Sequence, residues 1–159
     1  MNGLRRAFKV AALLLFLLPA GISFAQSRTE LPNDVTLDLL GRCLVYSFSY
    51  QRIVTQNLGI EGGLSILGGS AASVVFISGG GRIYLSPRDA APCISAGFVA
   101  VSAQTGAGPF SSDASTAFLY AGPGFEYRSS GALVFRGSLY FLIRDGFFVW
   151  PGVQIGIAF

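Results

Sequence analysis

Four charged residues occur in stretches of the chain where charge is otherwise rare. Glu61, Arg82, Glu126 and Arg136 each fall where apolar and polar residues alternate, on the less apolar side of the alternation. Each lies a few residues from a predicted chain reversal, so we expect all four at about the same height in the fold. Arginine binds carboxylates through a planar fork. We therefore predict a cluster of interior ion pairs, with a path for protons or small ions as the alternative.

Catalytic chemistry has little support in the sequence. The chain contains no histidine, which removes the usual triads and the commonest metal ligand. Glycine-rich stretches such as 79–81 lack the spacing of a phosphate-binding loop. We expect no enzyme activity, no cofactor and no bound metal.

The two cysteines, Cys43 and Cys93, are predicted to face the interior near opposite ends of the fold. A disulfide requires its two Cα atoms to lie within about 7 Å. We therefore expect no disulfide between them.

Residues 1–25 have the pattern of a cleaved secretory signal peptide. A basic start is followed by the apolar run Val10–Leu18, and small residues precede Gln26. This segment holds three of the eleven basic residues and none of the eight acidic ones, so residues 26–159 carry no net charge. The basic isoelectric point therefore gives no indication of nucleic-acid binding, and residues 26–159 form one predicted domain.

Alternation with a period of two runs through this domain and predicts β-strands with one apolar face. The clearest case is Phe147–Phe159, where every odd position is apolar. Such a strand invites pairing with other chains in water, whereas a closed barrel in lipid has no free edge. The pattern therefore favours a transmembrane β-barrel.

Seven strands are clear, and an eighth depends on the segment around Gly41-Arg42. The apolar positions are odd before Gly41 and even after Cys43, so this segment is either a bulge in one long strand or a tight reversal. The local pattern favours a bulge, whereas bacterial barrels have even strand counts. We expect eight strands, the eighth being either residues 35–40, if Gly41 is a reversal, or a strand missed elsewhere in the count.

We assume that the final strand ends in the periplasm. The side of the membrane on which each connection lies then follows by counting back along the strands. The stretch 104–115, the longest without strand pattern, becomes an outer loop, and 51–57, 86–91 and 129–131 become periplasmic turns. Tyr50 and Tyr127 then lie beside inner turns, where an aromatic girdle is expected.

The segments 37–52, 121–142 and 146–159 together resemble a group of small bacterial outer-membrane β-barrel proteins, of the OmpX, OmpA-domain and OmpW type in size. The resemblance implies an all-β fold, a closed antiparallel up-and-down transmembrane barrel. It also implies insertion by the outer-membrane barrel assembly machinery, and the residues that look like its recognition signal are Val153, Ile155, Ile157 and Phe159.

The expected function is a structural or surface-interaction role in the bacterial outer membrane, with the lumen filled by side chains. The expected partners are outer-membrane lipids and the assembly machinery, without nucleic acid, and the protein is expected to be a monomer. One alternative is a conduit for small solutes or hydrophobic compounds. Another is a soluble secreted barrel that holds a ligand, in which the apolar faces would point inward and the four charges outward.

Overall fold

The computed structural model describes residues 28, 30–69, 72–105 and 112–159. The predicted signal peptide, 1–25, lies outside the described residues. Within them, no helix is long and apolar enough to cross a membrane.

Eight strands account for most of the described chain. They are β1 (Asn33–Leu40), β2 (Tyr46–Thr55), β3 (Leu58–Gly68), β4 (Ala72–Tyr84), β5 (Ala90–Thr105), β6 (Ser112–Arg128), β7 (Leu133–Ile143) and β8 (Phe147–Ala158). Each strand pairs antiparallel with its neighbours in sequence, and β8 pairs with β1 to close the barrel. The predicted fold, an eight-stranded antiparallel up-and-down barrel, is confirmed.

The closing pair shows how the register is fixed. Val35 of β1 lies opposite Ile157 of β8, and Leu39 lies opposite Val153. These apolar residues share the outer face, and shifting either strand by one residue would turn them inward. The alternation of side chains thus selects this register.

The parity change at Gly41 is a reversal of the chain, and the bulge that the local pattern favours is wrong. A short 3₁₀ turn, Gly41–Cys43, connects β1 to β2. Gly41 adopts φ +72°, which glycine tolerates without steric cost. The Leu40 amide donates a hydrogen bond to the Val45 carbonyl at 2.7 Å and so closes the hairpin. A bulge and a very short hairpin both move the apolar positions from odd to even residue numbers. Only the pairing of β1 with β2 shows which of the two is present.

The barrel has two ends, defined here by the termini of its strands. At the lower end, the start of β1 meets the end of β8, and the Asn33 amide donates to the Phe159 carbonyl at 3.0 Å. The upper end holds the turn at Gly41–Cys43 and the connection between β5 and β6. That connection is shorter than predicted because β5 runs to Thr105 and β6 begins at Ser112. The rest of the predicted outer loop, 106–111, lies outside the described residues.

The barrel is apolar outside and polar inside. Large hydrophobic side chains such as Phe48, Ile77 and Ile157 are more than half exposed on the outer wall. Charged and hydroxyl side chains are buried within the lumen. This is the reverse of what a soluble ligand-binding barrel would require, so the structure contradicts that alternative.

Candidate functional site

Among the residues that the structure describes, nine charged side chains are buried in the lumen, and they form two ion-pair centres. The lower centre consists of Arg28, Asp34, Glu126, Arg128 and Arg136. The upper centre consists of Asp38, Arg42, Glu61 and Arg82. Asp34 and Asp38, one from each centre, lie four residues apart on β1, about 13 Å along the strand.

In the lower centre, Glu126 accepts hydrogen bonds from three arginines. Arg136 donates from Nε at 2.5 Å, and Arg28 and Arg128 each donate from Nε at 2.9 Å. The Tyr84 hydroxyl also donates to Glu126, at 2.6 Å. Four donors therefore surround this carboxylate, and such partners offset the cost of burying its charge.

Asp34 ties the lower centre to the closing strand pair. Its Oδ2 accepts hydrogen bonds from Arg128 at 2.5 Å and from Arg136 at 2.6 Å. Glu126 and Arg136 are direct cross-strand partners on β6 and β7, whereas Asp34 belongs to β1. The arginines thus connect strands on two sides of the lumen.

Arg28, which precedes β1, enters the lower mouth of the barrel. Its guanidinium lies 4.2 Å from the centre of the Tyr84 ring and donates to the Ser86 carbonyl at 2.9 Å. Arg128 likewise donates to the Leu31 carbonyl at 3.1 Å. The chain just before β1 is therefore part of the filling of the lower mouth.

In the upper centre, Glu61 lies between two arginines. Arg82 donates to its Oε2 at 2.9 Å, and Arg42 forms an ion pair with its Oε1. The Tyr120 hydroxyl donates to the same Oε1 at 3.1 Å. Arg42 also pairs with Asp38 at 3.3 Å, so the turn between β1 and β2 supplies a cation to two strands.

Above the upper centre, the lumen is filled by apolar and aromatic side chains. The buried members are Cys43, Phe76, Val99, Tyr120, Tyr140 and Leu142. The Tyr120 and Tyr140 rings meet edge to face at 5.6 Å, a favoured aromatic geometry. Trp150 packs against this cluster, and its indole Nε1 donates to the Leu44 carbonyl at 3.2 Å. The interior is therefore filled at two levels, ionic below and apolar above.

The four charges singled out in the sequence are all buried in the lumen. Glu61 pairs with Arg82 in the upper centre, and Glu126 pairs with Arg136 in the lower centre. The two pairs belong to separate ion-pair centres, and the expected common height stays a prediction.

Five further charged side chains are buried in the lumen although they were not predicted there: Arg28, Asp34, Asp38, Arg42 and Arg128. The alternation in the sequence could have indicated three of them. Asp34, Asp38 and Arg128 occupy the polar positions of alternating strands. Arg28 and Arg42 lie outside any strand, so no periodicity marks them. The sequence also indicated the apolar cluster in the upper lumen. Phe76, Val99 and Leu142 occupy the positions that alternate with the outward-facing apolar residues of their strands.

Cys43 and Cys93 are both free and buried, and they belong to different clusters of buried side chains. Burial raises the pKa of the Cys43 thiol. Among the residues that the structure describes, no group of three cysteine or acidic side chains is arranged to hold a metal ion.

The remaining predicted residues face outward. Tyr50 and Tyr127 are exposed near the lower end, and the Tyr50 hydroxyl donates to Asn33 Oδ1 at 2.7 Å. The residues predicted as an assembly signal line the outer face of β8 and its end: Val153, Ile155, Ile157 and Phe159. Their position is compatible with that role, which stays a prediction.

No protein-family model matches the chain, and no curated protein matches its sequence. Solved structures do match. The N-terminal β-barrel domain of Pseudomonas aeruginosa OprF aligns with a TM-score of 0.61 and 13% identity, over 80% of this chain and 95% of that one. The crystal structure of Ail, the attachment invasion locus protein of Yersinia pestis, aligns with a TM-score of 0.51 and 11% identity, over 79% of this chain and 91% of that one.

The backbone structure of the same outer membrane protein, Ail, in a phospholipid bilayer nanodisc aligns with a TM-score of 0.51 and 11% identity, over 80% of this chain and 98% of that one. At such identities the likeness concerns the fold alone. The chain has the fold of the small eight-stranded outer-membrane β-barrels, as the sequence resemblance implied.

Proposed function

We propose that this chain is a bacterial outer-membrane barrel with a structural or surface-interaction role, and that it is neither an enzyme nor a channel. Its apolar wall faces lipid, and its lower end, where β1 begins and β8 ends, faces the periplasm. The proposed partners are outer-membrane lipids and the barrel assembly machinery. Nucleic acid is not among them, and the barrel acts as a monomer.

The observation that carries the proposal is the filled lumen. Arg42, Arg82, Glu126 and Arg136 are each at most 1% exposed, and ion pairs connect them across the interior. An eight-stranded barrel is just wide enough for side chains to fill it. A water-filled path would have to displace both the ionic centres and the aromatic layer above them. The filled interior therefore supports a plugged barrel over a conduit.

A surface-interaction role is supported by the upper part of β6. β6 pairs with β5 from Ser112 to Tyr127, but its pairing with β7 begins only at Leu119, opposite Ile143. Within the described part of the chain, residues 112–118 therefore form a ladder on one side only. An unpaired strand edge can accept an extended segment of another protein. At the upper end of the barrel, this edge would lie on the outside of the cell.

Membrane insertion and lumen closure can be tested together. We expect the protein to fractionate with the outer membrane and to migrate faster on a gel when it is not boiled. Reconstituted in a planar bilayer, it should show no discrete conductance steps. Protein that stays soluble without detergent, or that opens in defined steps, would contradict the proposal.

The orientation has a separate test. An epitope inserted between Thr105 and Ser112 should be labelled by antibody on intact cells. The same epitope at Ser130, in the turn between β6 and β7, should be labelled only after the outer membrane is permeabilised. The reverse pattern would invert the proposed topology.

A further inference from the structure

A groove of about 330 Å³ lies on the outer wall between β1, β2 and β3. Its lining includes Val35 of β1, Phe48 and Tyr50 of β2, and Gly62 and Leu64 of β3. Tyr50 lies directly opposite Gly62 in the register, so the glycine leaves a bare strip beside the tyrosine ring. A Cβ at Gly62 would meet only the Ser78 carbonyl, at 3.6 Å, so packing of the barrel does not itself demand a glycine there.

Arg52 lies next to this groove and is unusual for its position. It is two residues beyond Tyr50 on the same outward face, about 7 Å further toward the lower end. Among the strand residues whose side chains the structure describes, it is the only charged one on the outer wall. Its guanidinium has no hydrogen bond or ion pair with the described part of the chain. A cation on a lipid-facing wall without a protein partner needs an anion from its surroundings.

The level of Arg52 on the wall indicates where that anion would come from. Tyr50 lies just above it, and its hydroxyl is bonded to Asn33 Oδ1 near the lower rim. Tyrosines at such a position mark the level of lipid headgroups. An arginine one step beyond the tyrosine is therefore level with lipid phosphates, which guanidinium binds through paired hydrogen bonds.

We propose that this part of the wall binds one glycerophospholipid of the inner leaflet. Its phosphate pairs with Arg52, and one acyl chain lies in the groove over Gly62, between Tyr50 and Leu64. The inference rests on the proposed function, because it requires that the wall faces lipid and that the lower end is periplasmic. It adds a defined lipid site to a wall that otherwise contacts lipid without preference.

The site can be tested by native mass spectrometry of the folded barrel in detergent, titrated with palmitoyl-oleoyl phosphatidylglycerol. We expect one lipid to be retained by the wild-type barrel. Arg52→Gln should weaken retention about tenfold, since it removes a charge-assisted hydrogen bond. Gly62→Leu should weaken it comparably by filling the groove. Palmitoyl-oleoyl glycerol, which lacks the phosphate, should not be retained by any of the proteins.

Two matched controls separate the site from general effects. Arg88→Gln makes the same change at an exposed arginine of the lower end, in the turn between β4 and β5. Gly137→Leu adds the same side chain on β7, where a Cβ would meet nothing within 4 Å. Both variants should retain the lipid as the wild type does.

The outcomes distinguish failure of the site from failure of the proposed function. All variants are first checked for faster migration of the unboiled protein, so a barrel that does not fold or insert is recognised before any titration. Equal retention by wild type, Arg52→Gln and Gly62→Leu would overturn the site, as would equal retention of the lipid without phosphate. A dimer mass that disappears in Gly62→Leu would assign the groove to a second copy of the chain instead.

Discussion

Arg42, in the short turn between β1 and β2, forms an ion pair with Glu61 on β3 inside the barrel. Its other terminal nitrogen donates to Ser49 Oγ at 2.8 Å. The tight turn at Gly41–Cys43 thus returns the chain and also directs a cation into the lumen. Without Arg42, the described ion pairs of Glu61 would be reduced to the one with Arg82. The geometry of this turn and the charge balance of the upper centre are therefore linked.

Replacing Arg42 should destabilise the barrel strongly. Arg42→Gln leaves Asp38 and Glu61 with less compensation in a buried setting, and breaking a buried ion pair costs about 3–5 kcal/mol. The free energy of unfolding, from urea titration of the barrel in lipid vesicles, measures the loss. Arg144→Gln is the control, because its pair with Asp145 is exposed and should contribute at most about 1 kcal/mol. A loss of similar size in both variants would contradict the structure.

The pair Glu126 and Arg136 should show strong coupling. They lie opposite each other on β6 and β7 and are bonded at 2.5 Å. In a double-mutant cycle built from Glu126→Gln and Arg136→Gln, we expect a coupling energy of about 1–3 kcal/mol. The cycle uses the same urea titration. Additive effects, within about 0.5 kcal/mol, would show that the two side chains do not interact in the folded barrel.

The two cysteines should be unreactive in the folded protein. Cys43 is fully buried and Cys93 is 2% exposed. Maleimides react with the thiolate, and burial raises the pKa of the Cys43 thiol, so little thiolate forms there at neutral pH. Both should react with a maleimide only after denaturation, as counted by mass. Ser130→Cys, in an exposed turn, provides a third thiol that should react at once. Prompt labelling of either native cysteine would argue against a filled lumen.

Closure of the barrel should depend on Gly156 of β8. A side chain there would press against the backbone of Val35 and Thr36 on β1. We expect Gly156→Val to weaken or abolish the fast-migrating folded band, because overpacking against backbone costs about 1–3 kcal/mol or more. Gly137→Val, where a side chain meets open space, should keep that band. Equal behaviour of the two variants would mean that β1 and β8 are not packed as described.

Much of this architecture follows from the sequence alone. Alternation along a strand decides which residues share a face, because successive side chains point to opposite sides of a sheet. That was enough to place Glu61, Arg82, Glu126 and Arg136 on the inner face and Tyr50 and Tyr127 on the outer one. It was also enough to expect a closed antiparallel barrel, since an apolar wall of strands avoids a free edge only by closing on itself.

Other features were decided only by the tertiary structure. Whether Gly41 marks a bulge or a reversal depends on which strand pairs with which, and a parity change is the same for both. The grouping of the charges into two ion-pair centres depends on the register between strands, which no single strand records. Arg28 and Arg42 reach the lumen from outside any strand, so periodicity cannot mark them. Alternation determines the face of a residue, but its height and its partners arise only when the barrel closes.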